Sequence, residues 1–440
     1  GPARPDEEAM YGTYRQLLAA LDPLPMTIRN LDDAYFASQD FVLETTAKMI
    51  DVIRSNSKAP IILGGVGYSI APRAVLAYTR ADYGIVGEGE DALPDLLDCL
   101  VAGETPTNVP GAVFRNDGEI VDCAPAFPDF PSRPTPPRRF LDNRRYFAEG
   151  GQAGIETKRG CDQHCIYCVE PTAKGNRTRL RAPESVADEY ADLLDQGIDV
   201  IHLCDSEFNQ PHDHARACCE TLIARGIAPH IRWYTYASPH PFDADLAQLM
   251  RLAGCVGINF GVDHADYAML KRLGRNYTPD AIHTAVQACR DAGIAVMLDM
   301  LLGAPGETRE TLARAIHLIS AIAPDRAGLS CGVRIYPNTP LAQMVRRQGP
   351  LADNPALHGA VTNNDDMLRP IFYVDPALDG DIHTIVSEYV GDNPLFFHTD
   401  PNQVDGNYNY NYNDNSELVN AIRDGERGAY WDILRRLADT

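Results

Sequence analysis

Basic residues are scarce in this 440-residue chain: 39 Lys and Arg stand against 61 Asp and Glu, a formal net charge of −22. A surface of that sign repels phosphate backbones and anionic lipid, which argues against nucleic-acid and membrane-surface partners. Long apolar runs are missing too; nothing approaches the roughly 20 residues that span a bilayer. The opening residues Gly1–Pro2–Ala3–Arg4–Pro5 lack the apolar stretch of a secretory signal. No segment of about 20–50 residues recurs, so solenoids and propellers are excluded. The 11 cysteines are odd in number, and without a signal segment a disulfide framework is not expected. A reducing cytoplasm is the expected setting, in which cysteines serve as small buried residues or metal ligands.

What is present is ordinary globular material, with 45% hydrophobic and 23% charged residues. At roughly 100–200 residues per domain, two to three domains are expected. Residues 1–122 alternate short apolar strands with helical patterns. Met26–Arg29, Pro60–Gly64 and Asp82–Val86 read as strands, and Phe41–Arg54, Pro72–Tyr78 and Asp91–Ala102 as helices. Such alternation implies a doubly wound parallel sheet. Val109–Val121, centred on Asn116–Asp117–Gly118, reads as a hairpin. Pro125, Pro128, Pro131, Pro134, Pro136 and Pro137 then mark residues 123–150 as a linker, because proline at that density blocks helix and inner strand alike.

Residues 151–348 alternate again. Six strands are expected, at Ala153–Lys158, Asp199–Cys204, Ile231–Tyr236, Cys255–Phe260, Ala295–Leu301 and Ala327–Ile335. Six β/α units suggest a shortened barrel whose chemistry sits at the C-terminal strand ends. Residues 349–440 begin irregularly, pass through the Asn/Tyr run 407–415 and end in a helix over Glu417–Ala438. That run suits either a substrate entrance or a surface turn.

The strongest chemical signal is Cys161–Asp–Gln–His–Cys165–Ile–Tyr–Cys168. Thiolates ligate iron, and three on one short loop can wrap a cubane cluster while leaving one iron without a protein thiolate. Zinc would want a fourth ligand from a second pair. His164 lies within the loop, but no such pair follows.

With aromatic Tyr167 before the last cysteine, this stretch resembles the radical S-adenosylmethionine (SAM) superfamily over residues of about 151–345. The resemblance implies a [4Fe–4S] cluster on Cys161, Cys165 and Cys168, with SAM at the open iron. It places Tyr167 against adenine and Glu207 on the SAM amino group. It also reads Gly303–Ala–Pro305–Gly306–Glu307 as the glycine-rich SAM turn, and the strand holding Arg334 as the sixth of the barrel. Blander readings stand beside these: Gly306 also suits a plain turn, and Arg334 a surface ion pair. Asp263 suits either the SAM ribose hydroxyls or a helix cap.

Residues 26–103 resemble the cobalamin-binding domain of B12-dependent members of that superfamily. The pieces are Arg29–Asn30, the Gly64–Gly65–Val–Gly67–Tyr–Ser69 loop and the Gly87–Glu88–Gly89 loop, each after an expected strand, where open α/β sheets bind ligands. A plain α/β packing domain is the alternative. The DxHxxG motif that in many B12 proteins gives cobalt a histidine is absent, and the first strands of such a domain are missing. By likeness to members without that histidine, Arg29 would lie beneath the cobalt face and Glu184 near the open iron. Glu184 equally suits a helix N-terminus.

The expected architecture is therefore α/β: a shortened Rossmann-like B12-binding domain, a (β/α)6 partial barrel, and a mostly irregular and helical C-terminal region. Tyr234 and Tyr236, on one face of the third strand, are candidates to orient substrate or move a proton, or to fill the barrel. The resemblance implies a methyltransferase using a [4Fe–4S] cluster, SAM and cobalamin on a small-molecule or peptide-derived, possibly tryptophan-like, substrate. A flavodoxin or ferredoxin would donate electrons. The alternatives are a B12-independent radical enzyme for rearrangement or lyase chemistry, and a cofactor-binding sensor or maturation protein.

Overall fold

The structure is a computed structural model that describes residues 41–129, 138, 141–398 and 415–438. The expected strand Met26–Arg29, with Arg29 and Asn30, lies outside the described residues, as do most of the proline run and of the Asn/Tyr run.

The first unit carries a four-stranded sheet in the order β1 (Ile62–Leu63), β2 (Tyr83–Ile85), β3 (Ala112–Asn116), β4 (Glu119–Asp122). Only β1 and β2 run parallel; the β3–β4 hairpin adds to β2 antiparallel. The parallel pairing expected from strand–helix alternation holds for β1 and β2, and the expected hairpin extends their sheet antiparallel. Asn116–Asp117–Gly118 turns the chain straight back, with both Asp117 and Gly118 at positive φ. Helices Val42–Asn56 and Pro72–Thr79 cover one face through Ile50, Val75 and Leu76. Helix Gly89–Ala102 covers the other through Ala92 and Leu96.

The second unit is built on seven strands: β5 (Ala153–Ile155), β8 (Val200–Leu203), β9 (Arg232–Ala237), β10 (Cys255–Asp263), β11 (Ala295–Leu302), β12 (Arg326–Cys331) and β16 (Phe396–His398). They lie side by side in that order and every pair is parallel. Helices Pro183–Asp195, His212–Ala224, Ala244–Leu252, Pro279–Ala292, Arg309–Ile322 and Ile382–Val390 connect successive strands. Their apolar stripes meet the outward strand faces in one continuous core. The six expected units are present, and helix Ile382–Val390 with β16 adds a seventh from the region expected to be irregular.

Two strands stop at least three residues short of their expected ends. The first stops at Ile155, and the next residues form β6 (Lys158–Arg159), paired antiparallel with β7 (Arg179–Leu180). The sixth stops at Cys331. Gly332 has a φ of 91°, a conformation a side chain disfavours. The chain there turns into β13 (Val333–Arg334), which pairs with β15 (Ile371–Tyr373) beside β14 (Leu357–Gly359). The single C-terminal helix expected over Glu417–Ala438 is two helices, Ser416–Arg423 and Tyr430–Ala438, broken where Gly425 and Gly428 hold positive φ.

Those last helices close the bottom of the barrel. Trp431 and Ala429 pack with Val200, Tyr234 and Met297 in a buried cluster. The Tyr234 hydroxyl donates to Asp432, 2.7 Å away and buried. Among the described residues no helix is long and apolar enough to cross a membrane.

Candidate active site at the mouth of the barrel

The cysteine loop follows β5 and is fixed from three sides. Thr157 donates through its hydroxyl and its N–H to buried Asp205, at 2.5 and 2.8 Å, which ties the loop after β5 to the loop after β8. Lys158, buried beneath, donates to the carbonyls of Glu207 (2.6 Å) and Gln210. On the far side, helix Tyr267–Leu273 ends at Gly274, whose φ of 84° makes it a left-handed cap. A side chain there would strike the His164 carbonyl, and Ile166 donates its N–H to Leu273, 3.1 Å away. The helix end is thus a seat for the loop.

Arg275, one residue further, is the hub of the site. Its Nη1 lies 2.9 Å from Glu207 Oε1 and 3.2 Å from Cys165 Sγ. Its Nη2 donates to the Gly261 carbonyl. Its Nε stands 2.7 Å from Asp263 Oδ2, a close ion pair in which the N–H is not aimed at the oxygen. Asp263 also accepts from the Tyr167 hydroxyl at 2.6 Å. Helix Tyr267–Leu273 is capped by Asp266, not by Asp263, so the capping alternative falls away. Asp263 holds a φ of 58° and turns its carboxylate into the site. Glu207 keeps one buried oxygen, Oε2, with no partner among the described residues.

Burial pushes all three thiols up, Cys165 to about 12 and Cys161 to about 11, against the opposing pull of Arg275 and Lys158 respectively. Among the described residues no three Cys, His, Asp or Glu side chains are already gathered around a single ion position. A cubane cluster spreads its thiolates wider than one ion does. Three half-buried thiols on one seated loop, beside a guanidinium that offsets thiolate charge, fit such a cluster.

The turn after β11 completes the rim. Gly303 and Gly306 have φ of 92° and 85° around Pro305. The Gly303 N–H donates to Glu307, which is wholly buried and paired with equally buried His264 at 2.7 Å. The Gly306 N–H donates to Asp375 at 2.6 Å.

In the first unit, Gly65, Gly67 and Gly89 each face open space, with nothing within 4 Å of an added side chain. Ser69 links the two loops, accepting from the Gly87 N–H and donating to the Gly65 carbonyl, each at 2.9 Å. Beside them a mostly apolar cleft of about 230 Å3 runs between the units, lined by Gly67, Ile70, Arg334, Tyr336 and Met367. Gly64 lies at the end of β1, just before that cleft. Open glycine loops beyond strand ends, facing an apolar cleft, fit a large flat cofactor.

Some expected residues stand elsewhere. Glu88 is engaged in joining the units: its Oε1 lies 2.5 Å from Arg179 Nη1, and both side chains are buried. Arg334 packs against Tyr336 and Phe372 in the cleft wall, with its guanidinium 5.1 and 5.5 Å from their ring centres, apart from the Arg275 hub. Tyr234 belongs to the barrel bottom through Asp432, whereas Tyr236, 42% exposed, stands at the top of the same strand. Glu184 is exposed in the first turn of its helix, its carbonyl held by Arg225 in the outer layer, and it is not among the groups joined to Arg275. Arg275 was missed by sequence reasoning. Its one signal is Gly274 before it, at the end of a short helix rather than of a strand.

A tryptophan 2-C-methyltransferase from Streptomyces laurentii is 31% identical over 401 residues, covering 76% of this chain and 67% of that protein. The profile of the radical SAM superfamily matches residues 155–319. The chain belongs to the radical SAM superfamily. Among solved radical SAM structures, that of the methyltransferase TsrM from Kitasatospora setae with tryptophan and a SAM analogue bound superposes with a TM-score of 0.83 at 27% identity. It covers 99% of this chain and 92% of that one. The same enzyme with cobalamin and a [4Fe–4S] cluster bound superposes at 0.80. The cobalamin-dependent radical SAM enzyme OxsB shares the fold, at a TM-score of 0.64 and 18% identity.

Proposed function

We propose that this chain is a cobalamin-dependent radical SAM methyltransferase acting on a small, tryptophan-like substrate in the cytoplasm. The observation that carries the reading is the match to TsrM over nearly the whole length of the chain, at a TM-score of 0.83. When bound, the cluster, SAM and cobalamin supply the methyl group and its carrier. This chain's residues do the rest. Cys161, Cys165 and Cys168 hold three irons. Glu207, through its unpartnered oxygen, takes the SAM ammonium, while Arg275 fixes that carboxylate and offers its charge to the SAM carboxylate. Gly303 and Gly306 shape the turn behind the ligand, their missing side chains admitting Ile382 and Arg272, and Asp263 would serve its ribose. Gly64, Gly65, Gly67, Ser69, Gly87 and Gly89 line the cobalamin side. An electron carrier of the flavodoxin or ferredoxin kind would keep the cofactors reduced.

The test is anaerobic reconstitution with iron, sulfide and hydroxocobalamin, followed by SAM, a low-potential reductant and tryptophan. S-adenosylhomocysteine and a methylated product are expected, with cobalamin retained on the protein. Deoxyadenosine alone, with no cobalamin retained, would leave a B12-independent radical enzyme.

A further inference from the structure

Barrel interiors of this kind are ordinarily filled by layers of branched apolar side chains. Here the filling stops one layer up. Val200, Tyr234, Met297 and Trp431 close the bottom, and the layer above them is polar: His202 from β8, Tyr236 from β9, Asn259 from β10 and Asp299 from β11. Tyr236 and Asn259 are directly paired, Asp299 lies two residues beyond Met297, the partner of Asn259, and His202 is paired with Tyr234 of the bottom cluster. The His202 ring stacks over Tyr234 at 6.3 Å and meets Tyr236 at 5.4 Å. On the neighbouring strand β5, Gly154 is paired with His202, and Cys204 Sγ fills the space a side chain there would take.

The polar layer is satisfied on one side only. Asn259 Nδ2 donates to Asp299 Oδ2 at 2.7 Å, which fixes the amide with its oxygen pointing the other way. That oxygen is buried and has no partner among the described residues, and the same holds for His202 Nε2. Burial keeps the His202 imidazole neutral, with its pKa pushed down to about 4. A buried polar atom left unmet costs about 1–3 kcal/mol, so two such atoms, Asn259 Oδ1 and His202 Nε2, call for a ligand that meets them.

We propose that this layer is the floor of the substrate site and that Asn259 Oδ1 accepts the ring N–H of a flat heteroaromatic substrate. The inference rests on the methyltransferase reading for the existence of a small substrate and adds which end of it enters the barrel. Asp299 behind the amide polarises it, which strengthens the carbonyl as an acceptor. The same carboxylate repels an anionic group, so the carboxylate of an amino-acid substrate stays at the mouth and the ring goes down. Tyr236 and His202 supply aromatic walls. Asn259 is a specificity residue in this arrangement, and Asp299 a positioning residue acting through it.

The test is a binding measurement on the cluster-loaded protein with cobalamin and SAM, by equilibrium dialysis, with no turnover required. The probes are L-tryptophan and its benzothiophene isostere, in which sulfur replaces N–H. The wild type should prefer tryptophan by roughly tenfold or more. Asn259→Leu should bring that ratio close to one while SAM binding and iron content stay unchanged, and Asp299→Asn should reduce it partway. Equal binding of the two probes by the wild type overturns the proposal, as does a preference that survives in Asn259→Leu. Loss of iron in Asn259→Leu would move the test to Asn259→Ser, which keeps a small polar group and should still lower the ratio. Absence of methyl transfer in the reconstitution assay would defeat the methyltransferase reading while leaving this ratio measurable, so the two failures are distinct.

Discussion

Arg275 serves two buried carboxylates and a thiol with one guanidinium. Its planar fork reaches Glu207 and Gly261 in different directions, which an ammonium on a flexible stem does not reproduce. Arg275→Met should therefore strand two buried charges at a cost of about 3–5 kcal/mol. It should raise the Kd for SAM by at least about tenfold in equilibrium dialysis, with Arg275→Lys falling between it and wild type. His202 gives a pH signature instead. Its folded pKa lies at about 4, below the usual 6.5, so the unfolded chain binds the extra proton between those values. Stability should be full above about pH 6.5 and decline as pH falls towards 4. His202→Phe should flatten that decline in thermal midpoints recorded across the range; an unchanged slope would mean other groups carry it.

At the scale of elements, a short helix does more than a strand. Helix Tyr267–Leu273 presents Gly274 to the cysteine loop and Arg275 to the site, so its C-terminal end sets both. Gly274→Ala adds roughly 1–2 kcal/mol of left-handed strain and a clash with His164. Iron per chain should drop by more than half on reconstitution, while far-ultraviolet circular dichroism stays that of the wild type. This is also where sequence reasoning ran out. Buried parallel strands announce themselves as apolar runs, which is why Ala295–Leu302 and Cys255–Asp263 were legible, and the cysteine spacing named the site loop outright. Phe396–His398 is three residues long and lies beyond Asn and Pro, so it carried no period to read. The break at Gly425–Gly428 was hidden inside a helical pattern. Asn259 and Asp299 looked like two ordinary strand positions, because their meeting depends on the register of strands β10 and β11. Glu88 followed a glycine loop that suits a ligand, yet its partner Arg179 lies in a hairpin that the expected unbroken strand had hidden.

For the whole molecule, the junction between units is polar at its heart. Glu88 pairs with Arg179, which also donates to the carbonyls of Pro128 and Lys174 at 2.9 and 2.7 Å. Phe127 lies against both Gly87 and Gly175, and a side chain at either glycine would stand about 3 Å from its ring. Glu88→Gln removes the carboxylate that the buried Arg179 pairs with here, a loss of up to about 3–5 kcal/mol. Limited proteolysis should then cut the proline-rich linker several-fold faster than in wild type, and cobalamin retention through gel filtration should fall; equal rates would show the junction is held by packing alone.

The plug formed by Trp431 and Asp432 has a consequence for synthesis. The cysteines leave the ribosome long before the helix that closes the barrel beneath them, by 263 residues from Cys168 to Trp431. At about 5–20 residues per second that is roughly 15–50 s. During that interval the thiols belong to a nascent chain whose barrel has no bottom, open to oxygen and to stray metal. A cluster acquired before the last helix arrives would sit in a barrel still open beneath it.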